Sequence, residues 1–222
     1  MPDDITLDPS RQLIGWISRH GQTILNKSGC WRGWENPPLD EVGLESAEKL
    51  GHWLSYEYPR VGRIVCSDLT RAVQTAEIIM QGCNPECVYL STDPNLRPWN
   101  IPLFAGKEKT PERVALLRGF IANPDVVVPD GESLNQFRDR NDVIFQYLAV
   151  PYKGLPTLVV AHTSNIVAAM RRITEINDET SDEEVDDIVG PGGLVAVYCN
   201  SQGHLDIVPV LEAQPVSTPE AS

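Results

Sequence analysis

The chain has 222 residues, 41% of them hydrophobic, and a formal net charge of -13. That length suits one domain able to bury a sizeable core, and the composition excludes wholesale disorder. The charge excludes a general electrostatic grip on nucleic acid or an anionic membrane, so an anionic ligand would need a local concentration of cations.

In chain order, Leu13–Ser18 is a short apolar run ending in a polar cluster, which predicts a buried strand. A loop rich in Gly, Asn, Pro and Trp runs from Arg19 to about Asp40. Val42, Leu44, Ala47, Leu50, Trp53 and Leu54 recur at helical spacing and predict an amphipathic helix over Glu41–Tyr56. Arg63–Ser67 is a second strand, and Thr70–Met80 a helix with Ala72, Val73, Ala76 and Ile79 on one face. A third strand is predicted at Val88–Leu90, then a loop with several prolines to about Thr110. Pro111 is placed to open a helix that extends to about Ile121. One helix is predicted from after Asp130-Gly131 to about Leu148, a strand at Thr157–Ala161 and a helix over Ser164–Thr174. Leu194–Tyr198 and His204–Val208 read as a closing strand pair around Ser201-Gln202-Gly203.

Strands alternate with helices almost throughout, so the expected fold is a three-layer α/β/α sandwich with a mainly parallel sheet. The expected organisation is a single domain over residues 1–211 and a flexible polar tail over 212–222. The acidic stretch Asn177–Asp187 reads as a solvated loop or helix. Met1–Ser10 has no basic region leading into an apolar run, and no stretch approaches the ~20 apolar residues of a membrane span. The 5 Cys are scattered, which argues against a disulfide framework. Cys83 and Cys87 have no second pair to complete a zinc site. A reduced, cytoplasmic protein without metal, cofactor, nucleic-acid or membrane partner is the expectation; an oligomer is open but not indicated.

In a parallel sheet, ligands collect beyond the carboxyl ends of the strands. Two of the chain's 4 His lie there: His20 after the first strand and His162 after Thr157–Ala161. Arg19 adjoins His20, and Arg71 follows the second strand at the start of a helix. Either His alone could be structural, and Arg71 alone could be a surface residue making salt bridges. Together they describe a pocket that would neutralise a phosphoryl group, since the guanidinium fork matches its oxygens.

Ser18-Arg19-His20-Gly21-Gln22-Thr23-Ile24-Leu25-Asn26 resembles the signature of the histidine phosphatase superfamily, in its phosphoglycerate mutase-like branch. Arg32–Leu39 with Gly43, Ser67–Ala76, Asp130–Leu134 and Val159–His162 are similar to further blocks of that family, in the family's order. The resemblance implies that His20 is the nucleophile, forming a phosphohistidine that water then hydrolyses. It implies that Arg19, Arg71 and His162 bind the phosphoryl oxygens and stabilise transition-state charge, with Asn26 a further phosphate donor. Gly21 would let the backbone pass close to the site. The activity implied is hydrolysis of phosphorylated small molecules. The alternatives are mutase-type phosphoryl transfer and a catalytically weak module that binds phosphorylated ligands.

The pattern departs from the family at one place. The resemblance implies a proton-donating Glu in a Leu-Arg-Glu segment, and here the segment reads Leu96-Arg97-Pro98. Glu132 is the first candidate for a replacement acid and Asp130 the second; helix capping and turn formation are the structural roles open to both. A substrate with a good leaving group would need little acid. The loops around Trp31–Pro38 and Trp99–Lys107 are expected to form the substrate pocket. Trp31, Trp34, Trp99 and Phe104 serve either as stacking surfaces or as loop anchors, and Lys107 either binds a second anion or is solvated.

Overall fold

The computed structural model describes residues 11–57, 61–83, 88–174 and 189–211. Cys87, the Asn177–Asp187 stretch and the 212–222 tail lie outside them. The elements are β1 (Gln12–Arg19), α1 (Ile24–Lys27), α2 (Glu41–Glu57), β2 (Arg63–Cys66), α3 (Thr70–Gly82), β3 (Tyr89–Thr92), α4 (Pro111–Ala122), α5 (Leu134–Asn141), α6 (Val143–Ala149), β4 (Thr157–Ala161), α7 (Thr163–Thr174), β5 (Leu194–Cys199) and β6 (Leu205–Leu211).

The sheet order is β3-β2-β4-β1-β5-β6. Its first four strands are mutually parallel, and β5 and β6 join antiparallel at the far edge. β4 is buried along its whole length, which explains its uninterrupted apolar sequence: both its faces are covered. The period of two along each strand divides the core into layers. Trp16, Ile64 and Leu158 face one side, with Leu50 and Leu54 of α2 and Ala76 and Ile79 of α3. Their neighbours Ile17, Val65 and Val159 face the other, with Ile144 and Leu148 of α6 and Ile166 of α7. The α/β/α expectation is met.

Two differences from the sequence reading have local causes. The Arg19–Asp40 loop contains α1, whose first turn is held by Thr23 and Asn26: Asn26 Oδ1 accepts from Thr23 N at 2.9 Å and from Thr23 Oγ1 at 2.8 Å. The helix expected to run to Leu148 is two helices. Ser133 and Gln136 cap the start of α5 reciprocally. The bonding tightens at Asp142, where Phe145 N–H donates to the carbonyl three residues back. The break lets Phe137 and Ile144 enter different clusters. Phe137 joins a third one with Trp99, Phe104, Leu117 and Val128, beside the carboxyl edge of the sheet.

Candidate active site

Three strand ends meet at one point, and backbone bonds set their registration. His20 N–H donates to Ala161 O and Ser67 N–H to Val160 O, each at 3.0 Å. These bonds align the exits of β1, β2 and β4, and so bring His20, Arg71 and His162 together. The rings of His20 and His162 have centroids 5.0 Å apart.

His20 is fully buried. Its Nδ1 lies 2.7 Å from Gly21 O, and its Nε2 lies 3.2 Å from Arg71 Nε. A carbonyl only accepts and a guanidinium only donates. These two contacts therefore assign the proton to Nδ1 and leave a lone pair on Nε2. Burial holds the imidazole well below its ordinary value of 6.5, and the positive charge of Arg71 lowers it further. The ring is neutral at neutral pH, as a nucleophile must be.

Arg71 is 1% exposed. It also donates Nη1 to Glu35 O at 2.6 Å and Nη2 to Gly33 O at 3.1 Å. The fork ties the 31–38 loop to His20. Burial, then the charge of Arg19, lowers Arg71 to about 10, so it stays cationic at neutral pH. Arg19 is buried beside it and donates Nη1 to Val189 O at 3.0 Å.

His162 is 3% exposed, and neither ring nitrogen has a hydrogen-bond partner among the described residues. The same holds for the buried hydroxyl of Thr163, the first residue of α7. Buried polar atoms are almost always paired, and these two groups stand side by side in the lining of one cleft. The N-terminus of α7 adds its partial positive charge there. Burial, then Arg71, keeps His162 well below 6.5 as well.

A cleft of about 590 Å3 opens over these groups. Arg19, Asn26, Arg71, His162 and Thr163 line it, while His20 lies beneath the lining. Asn26 has its amide oxygen committed to Thr23, which leaves its NH2 end as the donor for a ligand. Arg32 lines the cleft too and lowers both histidines, yet it was not singled out in the sequence. Its only signal there is its place in a family-like block. Thr163 had none beyond following His162.

The structure does not bring Glu132 to the cleft. Its carboxylate accepts from Asn100 N at 2.8 Å, from Arg140 Nε at 2.9 Å and from Arg140 Nη2 at 2.5 Å. Arg140 also donates to the carbonyls of Asn95, Arg97 and Pro98. Glu132 is thus the counterion of a clamp on the 95–100 segment, occupied as an acceptor rather than placed as an acid. Asp130 stands exposed in a turn at φ 59, away from the cleft. Pro98, where the resemblance implies Glu, does line the cleft.

Other expectations resolve through packing. A Cβ at Gly21 would lie 2.5 Å from Gly43 O, so the close approach there is to α2 rather than to a ligand. Trp99 and Phe104 pack in the core, at 7% and 1% exposure, and Trp99 also lines the cleft. Trp31 packs edge-on against Phe104 and also faces the cleft. Trp34 donates to Pro98 O at 2.9 Å, under the guanidinium of Arg97. Lys107 is exposed outside the cleft, and Lys109 lines it instead. Among the described residues, no helix is long and apolar enough to cross a membrane.

Comparison with known proteins identifies the family and the fold. Residues 16–186 match the model of the histidine phosphatase superfamily, branch 1. A metal-independent phosphoserine phosphatase of Arabidopsis thaliana is 32% identical over 167 residues, which span 72% of this chain and 68% of the relative. A 2,3-bisphosphoglycerate-dependent phosphoglycerate mutase of Xanthobacter autotrophicus is 28% identical, over 73% of this chain and 82% of its own. The fold is shared with the alpha-ribazole phosphatase of Shigella flexneri, at a TM-score of 0.67 and 20% identity, covering 92% of this chain and 96% of that one.

Proposed function

This chain belongs to branch 1 of the histidine phosphatase superfamily, and from that premise we propose that it is a metal-independent phosphatase of phosphorylated small molecules, acting through a phosphohistidine on His20. The observation that carries the reading is the fixed tautomer of His20, with Nδ1–H on Gly21 O and the Nε2 lone pair under Arg71 Nε.

A phosphoryl group entering the cleft takes over the Nε bond of Arg71 and meets Arg19, His162 and the amide of Asn26. The Nε2 lone pair attacks phosphorus as the bond to the leaving oxygen breaks. The ring becomes cationic on phosphorylation, and its Nδ1–H···O bond to Gly21 becomes charge-assisted at that moment. The guanidiniums face the charge on the equatorial oxygens throughout. Water then attacks phosphorus, the N–P bond breaks, and the lone pair returns to Nε2. With Glu132 held by Arg140 and Pro98 in the cleft wall, the first step favours esters whose leaving oxygen departs with little protonation.

The test is hydrolysis of a panel of phosphate esters with and without a chelator, comparing wild type with His20→Ala. Chelator-resistant release of phosphate that His20→Ala abolishes is the expected result. Activity that survives in the variant, or that the chelator removes, defeats the mechanism. The mutase relative favours a second reading, return of the phosphoryl group to another oxygen of the same molecule. A product assay on phosphoglycerate separates the two: isomer interconversion supports the mutase, inorganic phosphate the phosphatase.

A further inference from the structure

At about 590 Å3 the cleft far exceeds a phosphoryl group, and three helices line the remainder with apolar side chains. Leu117 and Ile121 stand four residues apart on α4, and Leu134 and Phe137 three apart on α5. Val167 and Ala168 stand three and four residues beyond Ser164 on α7. Such spacings share one face of a helix, so each helix turns a single stripe towards the cleft. Trp31 adds a half-buried ring packed on Phe104. Val167 and Ala168 lie about 6 and 7.5 Å along α7 from Thr163. The apolar wall therefore begins about one turn beyond the phosphate end, within reach of a body joined through one ester oxygen. Arg138 and Arg171 also line the cleft, each engaged in interactions of its own.

A second observation concerns the leaving oxygen. Pro98, in the lining, carries no acidic group, and Glu132 is occupied by N–H bonds from Asn100 and Arg140. No Asp or Glu stands among the described residues that line the cleft. His162 is held neutral, and a neutral imidazole is a poor acid. An alkyl ester must expel an alkoxide about as basic as hydroxide, whose conjugate acid, water, has a pKa of about 15.7. A phenol oxygen ionises at about 10 and departs without a donor. An acyl phosphate or anhydride would also leave unaided, but it sets further polar oxygens against the wall. An aromatic ring sets carbon there, with no polar group to desolvate.

We propose that the substrate is the phosphate monoester of a phenol, its ring seated on the apolar wall of α4, α5 and α7. The inference rests on the phosphatase reading and adds the substrate class. Burial holds the ring, and Trp31 and Phe137 offer it aromatic partners. In the first step the Nε2 lone pair of His20 forms the N–P bond as the P–O bond breaks. The bonding pair leaves on the phenolate oxygen, which takes its proton from water after release.

The experiment measures kcat/KM of the full-length protein on phenyl, 2-naphthyl, cyclohexyl and benzyl phosphate. The cyclohexyl ester matches phenyl in size but expels an alkoxide, and the benzyl ester carries an aromatic ring on an alkoxide. Phenyl phosphate is expected to exceed both by at least about 100-fold, the lower end of what general acid catalysis would supply. The 2-naphthyl ester is expected to exceed phenyl by roughly 5-fold or more, the worth of burying one further fused ring. That gain falls towards one in Ile121→Asn and in Ala168→Gln, on two different helices, with folding verified by the thermal transition of each. A smaller advantage of phenyl over either alkoxide ester, no naphthyl gain, or a gain that a folded variant keeps overturns the substrate class. In each case turnover abolished by His20→Ala leaves the phosphatase reading standing, so the two failures are distinguishable.

Discussion

Glu132→Gln is expected to weaken the fold and leave the chemistry nearly intact. The carboxylate accepts three N–H bonds, from Asn100 and from two nitrogens of Arg140. A Gln amide oxygen can still accept from Asn100, but its NH2 would face the Nε–H of Arg140, donor against donor. Removing one partner of a fully buried ion pair costs about 3–5 kcal/mol. These side chains are 16% and 17% exposed, and Arg140 keeps its bonds to the carbonyls of Asn95, Arg97 and Pro98. Solvent screening and those acceptors reduce the expected cost to about 2 kcal/mol. For a domain of this size that is a fall in Tm of about 4–8 °C. The assay pairs a thermal melt with kcat on an aryl phosphate and on an alkyl phosphate at 25 °C. Both kcat values are expected to stay within about 3-fold, well short of the 10²–10⁴-fold that general acid catalysis contributes. An unchanged Tm with a roughly 100-fold loss confined to the alkyl ester would show that Glu132 is the acid and refute the clamp.

Arg71→Lys replaces a fork serving three acceptors by one ammonium, and kcat/KM is expected to fall by about 10²–10³, the effect of losing an oxyanion-stabilising donor. Retention of near wild-type kcat/KM would remove Arg71 from the site. Pro98→Glu is expected to raise kcat on alkyl phosphates at least about 10-fold while leaving aryl phosphates little changed, because position 98 lines the cleft and its carbonyl bonds do not depend on its side chain. A folded variant with an unaltered alkyl-to-aryl ratio would contradict this. Because His20 and His162 are held neutral below 6.5, the unfolded chain binds more protons as the pH drops, and the folded state loses stability. Their contribution is complete above pH 6.5 and declines below it, by at most about 2.7 kcal/mol per pH unit for the two together. Urea unfolding at about pH 7.5 and about pH 5.5 checks this, with His162→Asn flattening the slope. Equal slopes in the variant and the wild type would mean that His162 is not buried neutral.

The sequence by itself determined the layers and the place of the candidate site. Uninterrupted apolar runs such as Thr157–Ala161 can be satisfied only by burial on both faces, so the parallel sheet was legible locally. Arg19 ends β1, and His20, Arg71 and His162 lie beyond strand ends, where a parallel sheet gathers side chains, so their convergence was legible too. Tertiary structure alone decided what depends on partners distant in sequence. The hydrogen bonding of Glu132 turned on Arg140 and on the backbone of Asn100. Gly21 took its meaning from Gly43, a contact that exists only once the β1 loop docks on α2. The break at Asp142 lets α5 and α6 serve two different clusters, a need that neither helix records in its own periodicity. Periodicity and spacing record which face of an element is buried. They do not record which charged group lies across the gap, and in a low-dielectric cleft that neighbour decides whether a carboxylate or an arginine is structural or chemical.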